Sequence, residues 1–456
     1  MFNEKFRNRE GDINISAARK RWAEANADSA ASDLLDRDSR VFLHQALSTP
    51  CLDALTGCEG AHITNAAGKK YLDFHGNNVH QVGFGNPYVV EAVKKQLDKL
   101  PFCTRRFTNE LSIALAEKLT LLTNGYLSRV LFAPSGTCAV GTALKLARVV
   151  TGKYKTISMW DSFHGASMDA ISVGGESAFR SDIGPLLPGC EHVIPFNSYR
   201  CMYGDCGDCG YYCVSHIEYI LRREPDVGAI ILETVRNTDV QIPTKKYLQS
   251  IRRLCDKYHV LMILDETAIC MGRTGKWFAY EHFGIVPDMV VLGKGLGGGV
   301  IPHAALLCKE EFNVASHISL GHYTFEKNPV AAAASLAVID YIESRNILKE
   351  TERKGEMLRR RLNQIKDRNR HVGDLRGIGL LSGVELVLNR ESKEPDNKLA
   401  EELMYACLTD GLSFKVSCGN VLSLSPALII EECDLMRAAK IIEDNLERMT
   451  HEKRIG

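Results

Sequence analysis

The chain has 456 residues, and its 56 Lys and Arg residues balance 56 Asp and Glu residues, so its neutral formal charge favours neither nucleic acid nor an anionic membrane as a partner. Hydrophobic residues make up 45% and charged residues 25%, which excludes wholesale disorder, and no apolar run is long enough for a transmembrane helix. The charged N-terminus lacks a signal-peptide pattern, and the 15 scattered cysteines indicate reduced thiols, so we expect a cytoplasmic protein.

The first elements predicted are an amphipathic helical arm over residues 16–35 and a β-hairpin over residues 60–74. The middle of the chain then repeats a short apolar run, a turn signal and a helical pattern. The apolar runs cover 129–133, 156–160, 228–232, 260–264 and 289–292, and the helical patterns include 139–150, 214–223 and 246–258. This alternation predicts an α/β domain with a mainly parallel sheet.

The pattern changes after residue 325. Long helical patterns over 329–344 and 347–365 precede short strands around 376–388 and 420–430, which indicates a smaller α+β domain. We therefore predict an N-terminal arm and part of the small domain over residues 1–74. A large α/β domain is predicted over 75–328, and the rest of the small domain over 329–456.

Ligands of an open α/β sheet bind beyond the carboxyl ends of its strands, so residues that follow the apolar runs are candidates. Ser135, Gly136 and Thr137 lead from one run into a helix, whose first N–H groups and positive dipole end suit a phosphate. An ordinary helix cap explains the same residues. Phe163 and His164 follow the next run and offer a ring to stack on a flat ligand, although packing is a common role for such a ring.

Two further strand ends carry reactive groups. Asp265, the first of two adjacent carboxylates, ends an apolar strand and needs a cationic partner, either a basic side chain or a protonated ring nitrogen of a ligand. Lys294 lies between Gly293 and Gly295 after the next strand. A dinucleotide fingerprint is excluded because a strand-like segment follows, and a phosphate-binding P-loop is excluded because Asp288 replaces its first glycine. An amine for a Schiff base remains, with a surface lysine as the alternative.

A phosphate cradle, a stacking ring, a carboxylate for a pyridinium and a Schiff-base amine are together the groups that hold pyridoxal 5'-phosphate (PLP). Beyond about residue 50, the chain resembles the class-III aminotransferases, which belong to fold type I of the PLP-dependent enzymes. The motifs that carry the resemblance are Gly68-Lys-Lys-Tyr-Leu-Asp73, Gly83-Phe-Gly-Asn-Pro87, Ser135-Gly-Thr137, Phe163-His-Gly165, Asp265-Glu-Thr with Gly272-Arg-Thr-Gly275, Gly293-Lys294-Gly295, Tyr323-Thr324-Phe325 and Arg376-Gly-Ile-Gly-Leu380.

The resemblance implies a fold with a large PLP-binding domain and a small domain built from both termini. It also implies roles for individual residues. Lys294 would bind PLP covalently, Asp265 would pair with its ring nitrogen, and the remaining contacts would come from Ser135, Gly136, Thr137, Phe163 and His164. Thr324 would reach the phosphate of a neighbouring subunit's cofactor, which predicts a homodimer or a tetramer.

Departures from the family pattern bear on the substrate. Thr267 and Ala268 stand where the family usually has Val-Gln. Ser423 replaces the family's Arg that clamps the substrate α-carboxylate, and a bidentate Arg is the natural clamp for that group. We therefore expect a substrate with a different anion. The residues predicted to bind the substrate are Arg236, which stands where a neutral residue is usual, Arg105 and Glu233.

Within the family, the chain most resembles the ammonia-lyases that act on 1-hydroxy-2-aminoethylphosphonate. This predicts a lyase of phosphonate breakdown in which Lys294 removes a proton from the amine-bearing carbon and hydroxide leaves from the next carbon, giving ammonia and phosphonoacetaldehyde. An amine:2-oxo acid transaminase that uses the same residues is the alternative. A phospho-lyase and a catalytically silent binding protein of the same fold are further alternatives.

Four cysteines at 201, 206, 209 and 213 form a cluster with metal-like spacing in a Gly- and Tyr-rich insertion. The same spacing fits a packing role or a redox-sensitive loop, so zinc stays open there. No metal is assigned to the predicted catalytic site.

Overall fold

The computed structural model describes residues 14–26, 28–204 and 212–455, with the side chains of 452–455 excepted. The chain divides into two compact units. The terminal unit comprises residues up to 85, residues 238–240 and residues from 350 onwards, and the central unit comprises 86–237 and 241–349.

The helices are α1 (Ala17–Ala25), α2 (Ser29–Val41), α3 (Pro87–Lys99), α4 (Glu110–Leu122), α5 (Gly136–Thr151), α6 (Met168–Val173), α7 (Ser177–Arg180), α8 (Tyr212–Arg223), α9 (Lys245–Tyr258), α10 (Pro329–Ser344), α11 (Ile347–Arg368), α12 (Asn397–Thr409) and α13 (Glu432–Ile455). The strands are β1 (Leu55–Glu59), β2 (His62–Asn65), β3 (Lys70–Asp73), β4 (Arg129–Ala133), β5 (Lys155–Met159), β6 (Cys190–Val193), β7 (Val227–Glu233), β8 (Leu261–Asp265), β9 (Met289–Leu292), β10 (Ala304–Cys308), β11 (Val372–Ile378), β12 (Leu381–Leu386), β13 (Leu412–Ser413), β14 (Lys415–Ser417) and β15 (Val421–Leu424).

The central unit is built on a seven-stranded sheet with the order β4-β10-β9-β8-β7-β5-β6. Strands β5 to β9 pair in parallel, and β10 is antiparallel to both of its neighbours. Strands β8 and β9 are buried along their whole length, which explains their continuous apolar runs. The predicted mainly parallel sheet is confirmed.

The boundaries between the units differ from those predicted at 74/75 and 328/329, since they fall at 85/86 and 349/350. Helix α10 explains the later boundary. It packs against α3 and α4, and its alanine-rich sequence is buried along almost its whole length. A helix that is apolar on all faces requires neighbours on all sides, so α10 belongs to the central unit.

The terminal unit contains two four-stranded sheets, ordered β1-β2-β3-β13 and β11-β12-β15-β14. The hairpin predicted over 60–74 is confirmed as β2 and β3. The arm predicted as one helix over 16–35 is instead two helices, α1 and α2. Asn26 ends α1 through hydrogen bonds to the carbonyl of Trp22, and the side chain of Asp28 caps α2 by accepting from the N–H of Ala30 at 2.8 Å.

A short segment, Thr238–Val240, leaves the surrounding central unit and joins the terminal unit. Arg376 of β11 holds it, because its guanidinium donates to the carbonyl oxygens of Asp239 and Val240 at 2.7–3.0 Å. The same guanidinium donates to Glu385 at 2.7 Å, so its buried charge is neutralised. The Arg376 motif therefore has a structural role.

Candidate active site

The residues predicted at strand ends meet at one edge of the central sheet. In the parallel register, Glu233 of β7 lies beside Asp265 of β8, and Asp265 lies beside Val291 of β9. Lys294 begins the 3-10 turn that follows β9. The sheet therefore brings both carboxylates and the lysine turn to the carboxyl end of neighbouring strands, where an open α/β sheet binds its ligand.

Asp265 is buried, and each of its carboxylate oxygens accepts a hydrogen bond. The Nδ1 atom of His164 lies 2.9 Å from Oδ2, and the N–H of Thr267 donates to Oδ1 at 3.0 Å. Burial alone would raise the pKa of Asp265, but the hydrogen bond and electrostatic interaction with His164, together with the hydrogen bond from Thr267, lower it below its usual value. The site therefore presents an ionised, anchored carboxylate with lone pairs left for a cationic ligand.

The turn that carries Lys294 is conformationally unusual. Lys294 has a φ of 44°, in the left-handed region that costs a residue other than glycine about 1–3 kcal/mol. At Gly293, a Cβ atom would lie 2.9 Å from the methyl group of Thr267 and 3.7 Å from the Cα of Gly136. Position 293, where the chain leaves β9 beside the N-terminus of α5, therefore requires glycine. Backbone strain such as that at Lys294 is typical of functional residues.

The N-terminus of α5 forms the predicted cradle. Ser135 is the N-cap, and its hydroxyl lies 3.4 Å from the N–H of Cys138. The Oγ1 of Thr137 contacts the Oγ of Ser167 at 2.5 Å and accepts from the N–H of Ser167 at 3.1 Å. Because the first N–H groups of a helix lack carbonyl partners, those of Gly136 and Thr137 are suited to an anion.

The chain as a whole matches known proteins. The class-III aminotransferase family model matches residues 45–446. The chain belongs to the class-III aminotransferase family. Its fold is the expected fold type I, and the class-III aminotransferase family is PLP-dependent, so PLP is the cofactor of this enzyme.

Relatives in the class-III aminotransferase family include both lyases and aminotransferases. The chain is 49% identical to the (R)-1-hydroxy-2-aminoethylphosphonate ammonia-lyase of Vibrio splendidus (strain 12B01), over 96% of this chain and 95% of that protein. It is 34% identical to an acetylornithine aminotransferase of Caldanaerobacter subterraneus subsp. tengcongensis, over 86% and 94%. The structure of taurine:2-oxoglutarate aminotransferase from Bifidobacterium kashiwanohense, in complex with PLP and glutamate, has a TM-score of 0.85 at 26% identity, over 92% and 98%.

The residues of this class-III enzyme fit PLP. The ionised carboxylate of Asp265 suits a protonated ring nitrogen, and the N-terminus of α5 suits a phosphate. The amine of Lys294 suits the aldehyde. Phe163 lies near Phe179, with ring centroids 4.6 Å apart. His164 is hydrogen-bonded to Asp265, and its predicted contact with the ring of PLP is a further role. The individual contacts with PLP stay predictions.

The three predicted substrate-binding residues have different surroundings. Both oxygens of Glu233 accept backbone N–H groups, from Phe163 at 3.1 Å and Asn237 at 3.0 Å, so Glu233 anchors the turn of Phe163. Arg236 is buried and lines a pocket with Ser162, Glu233, Phe196 and Tyr247. Arg105 is exposed, and it pairs with Glu326 at 3.4 Å and with His322.

The loop of Thr324 lies close to the cradle of its own chain. The hydroxyl of Tyr323 donates to the carbonyl oxygen of Cys138 in α5 at 3.2 Å. The neighbouring Thr324 is exposed in the single chain. Such a position leaves Thr324 accessible to a second subunit, and its contact with a partner's cofactor stays a prediction.

Sequence reasoning missed the structural role of Glu266, which adjoins Asp265. Its carboxylate accepts from the hydroxyl of Thr234 at 2.8 Å and from the N–H groups of Ala279 and Tyr280 at 2.6 and 2.8 Å. Burial raises the pKa of Glu266 to about 7. Two adjacent carboxylates, at the last residue of β8 and the residue after it, thus have separate roles, since their side chains have different partners.

The cysteine cluster lies partly outside the described residues, which include Cys201 and Cys213 but not Cys206 or Cys209. Within the described ranges, no group of three or more His, Cys, Asp or Glu side chains is placed to hold a metal ion. No helix in the described part of the chain has the length and apolar character needed to cross a membrane.

Proposed function

We propose that this chain acts as a cytoplasmic homodimer and is a PLP-dependent lyase that releases ammonia from a small hydroxylated aminophosphonate. Its substrate would be 1-hydroxy-2-aminoethylphosphonate and its product phosphonoacetaldehyde. The observation that carries the proposal is the 49% identity to the Vibrio splendidus ammonia-lyase along nearly the full length of both proteins, against 34% to the aminotransferase.

Ser423 supports elimination over transamination. It lies in β15, is buried, and pairs with Gly383 of β12. A serine hydroxyl cannot provide the charge-assisted fork that binds the carboxylate of a 2-oxo acid, and burying that carboxylate without a partner costs several kcal/mol. A reaction with a single substrate requires no such acceptor.

The proposed reaction balances without an acceptor. Bound PLP supplies an electron sink for the carbon that carries the amine. Lys294 removes a proton from that carbon, and Asp265 stabilises positive charge on the ring nitrogen. The carbon–oxygen bond of the adjacent carbon breaks, and hydroxide leaves with that proton as one water molecule, which the later hydrolysis takes up again. The released enamine is hydrolysed to ammonia and phosphonoacetaldehyde, so the products contain the same atoms as the substrate and nothing is oxidised.

Arg236 is the proposed phosphonate-binding residue. It is 7% exposed, and a low-dielectric surrounding strengthens its attraction for a dianion. Its planar guanidinium suits the oxygens of a phosphonate, which accept two parallel hydrogen bonds. Arg105 is exposed, so water and salt screen its charge, and Arg105 is the less suitable of the two.

The decisive experiment omits the acceptor. We expect the purified holoenzyme to release ammonia from 1-hydroxy-2-aminoethylphosphonate over many turnovers without any 2-oxo acid, and at the same rate when pyruvate or 2-oxoglutarate is added. The readouts are ammonia and phosphonoacetaldehyde, with the Lys294→Ala variant as the blank. Turnover that strictly requires a 2-oxo acid would make the protein a transaminase.

Substitution of Arg236 by Lys should raise the KM for the aminophosphonate about tenfold or more, because a point charge replaces a bidentate fork. The kcat should change less, since the phosphonate does not react. Arg105→Lys and Ser423→Ala are the matched controls, and both should leave KM within about twofold. If KM rose strongly for Arg105→Lys and not for Arg236→Lys, Arg105 rather than Arg236 would be assigned as the phosphonate-binding residue.

One observation favours the runner-up, a transaminase. Lys415 of β14 lies directly opposite Ser423 in the antiparallel register, which places a cationic residue beside the position of the missing arginine. A lysine binds a carboxylate as a point charge, without the fork of an arginine. The acceptor experiment decides between the two reactions.

A further inference from the structure

A series of short hydrogen bonds joins the N-terminus of α5 to the segment that follows β5. The Oγ1 of Thr137 lies 2.5 Å from the Oγ of Ser167, and the hydroxyl of Ser167 donates to Oδ1 of Asp169 at 2.5 Å. The backbone N–H of Ser167 also donates to Oγ1 of Thr137, at 3.1 Å. Thr137, Ser167 and Asp169 thus form a clip between the phosphate cradle and the segment that carries Phe163 and His164.

The direction of each hydrogen bond in the clip follows from the groups involved. An ionised carboxylate only accepts, so the single proton of the Ser167 hydroxyl goes to Asp169. Ser167 can then only accept from Thr137, so the proton of the Thr137 hydroxyl points to Ser167. A phosphate also lacks donors when ionised, so the backbone N–H of Thr137, rather than its hydroxyl, is left to bind the phosphate.

Two glycines allow the close approach that the clip requires. Gly165 has a φ of 129°, which favours glycine, and a Cβ there would lie 2.9 Å from the Cα of Thr137. A Cβ at Gly141 in α5 would collide with Oδ2 of Asp169. A side chain at either position would therefore push the segment over residues 165–169 away from the first turns of α5.

The hydroxyl of Ser167 is not used as an ordinary helix cap. Ser167 is the N-cap residue of α6, a position where a serine oxygen usually accepts from an N–H group of the first turn. The side chain of Ser167 makes no such hydrogen bond, and its hydroxyl lies between Thr137 and Asp169 instead. Removal of this hydroxyl therefore breaks the clip without removing a helix cap.

We propose that Thr137 and Ser167 are positioning residues whose hydroxyls fix the phosphate cradle relative to the segment of Phe163 and His164. The phosphate and the ring of PLP are covalently joined, so both bind well only when their two sites keep a fixed separation. A clip that sets this separation in advance lowers the cost of ordering the site when PLP binds. The proposal rests on PLP as the cofactor and applies to elimination and transamination alike.

The test compares PLP with pyridoxal, which lacks the phosphate, in binding to the cofactor-free proteins. Dissociation constants are measured by absorbance for wild type, Thr137→Val, Ser167→Ala and Thr137→Ser. We expect Thr137→Val and Ser167→Ala each to bind PLP about tenfold more weakly, because each loses hydrogen bonds of the clip. Thr137→Ser keeps the hydroxyl and should bind PLP within about twofold of wild type. Pyridoxal makes no use of the cradle, so its affinity should stay within about twofold in all four proteins.

The double variant distinguishes the clip from a direct contact between the Thr137 hydroxyl and the phosphate. If the two hydroxyls act through each other, Thr137→Val combined with Ser167→Ala should lose no more PLP affinity than Thr137→Val alone. A direct contact would instead leave Ser167→Ala at wild-type affinity or make the two losses additive, and either result would overturn the proposal.

An equal loss of affinity for PLP and pyridoxal would also overturn the proposal, because Thr137 and Ser167 would then only stabilise the fold. Thermal unfolding of the cofactor-free variants shows whether each is folded. If Thr137→Val is misfolded, Thr137→Ala takes its place in the comparison with Thr137→Ser and in the double variant.

Discussion

Replacement of Lys294 by Ala should abolish turnover, with a loss of at least about 10⁴-fold, since it removes both the covalent attachment of PLP and the proposed general base. The cradle at α5 and Asp265 remain, so the variant should still bind PLP, more weakly and without a covalent link. The measurement is borohydride reduction followed by peptide mass spectrometry, which should locate PLP on the peptide of Lys294 in wild type and nowhere in the variant.

Lys276→Ala is the matched control, because Lys276 is an exposed lysine beside the Gly272-Arg-Thr-Gly275 motif. It should retain full activity and the PLP adduct on Lys294. Discovery of reduced PLP on another lysine of the wild-type protein would refute the assignment.

The left-handed φ of Lys294 gives a second readout. The cofactor-free Lys294→Gly variant should be more stable to unfolding than the cofactor-free Lys294→Ala variant, because glycine relieves the backbone strain.

Local sequence patterns predicted the strand ends that carry Lys294 and Asp265. A buried central strand needs a continuous apolar run, so β9 begins and ends where the predicted run does. The edge strand β4 also matches its predicted run, although its first residue is exposed. The reactive residues lie directly after such runs, which makes them visible without knowledge of the fold. The resemblance to class-III aminotransferases then supplied the roles that spacing alone left open.

Local sequence patterns could not predict contacts between residues that are far apart in the sequence. His164 and Asp265 are 101 positions apart, and nothing in the local sequence of either one indicates their 2.9 Å contact. The place of Thr238–Val240 in the terminal unit likewise depends on Arg376, more than a hundred residues later.

Replacement of Asp265 by Asn should lower kcat about 10²- to 10³-fold, because the electrostatic stabilisation of the ring nitrogen is lost while the shape of the site is kept. The neutral amide of this variant is too weak an acceptor to keep the ring nitrogen protonated. The absorbance spectrum of the PLP-loaded variant should therefore differ from that of wild type. Its affinity for PLP should fall, but its affinity for 1-deaza-PLP, an analogue that lacks the ring nitrogen, should not fall. Near-normal kcat in this variant would refute the role of Asp265.

The pH dependence of stability gives an independent check on the ionised state of Asp265. Its pKa in the folded chain is lowered, despite burial, by the contacts with His164 and Thr267. A lowered pKa means that ionisation stabilises the folded state at pH values above the unfolded pKa, and that this contribution is lost as the pH falls through the folded pKa. Asn resembles the protonated carboxyl group. In urea unfolding of the cofactor-free proteins, wild type should therefore exceed Asp265→Asn in stability at neutral pH, and the difference should shrink below about pH 4. A difference that grows as the pH falls would mean that Asp265 is protonated in the folded chain, and the proposed contact with a cationic ring nitrogen would have to be abandoned.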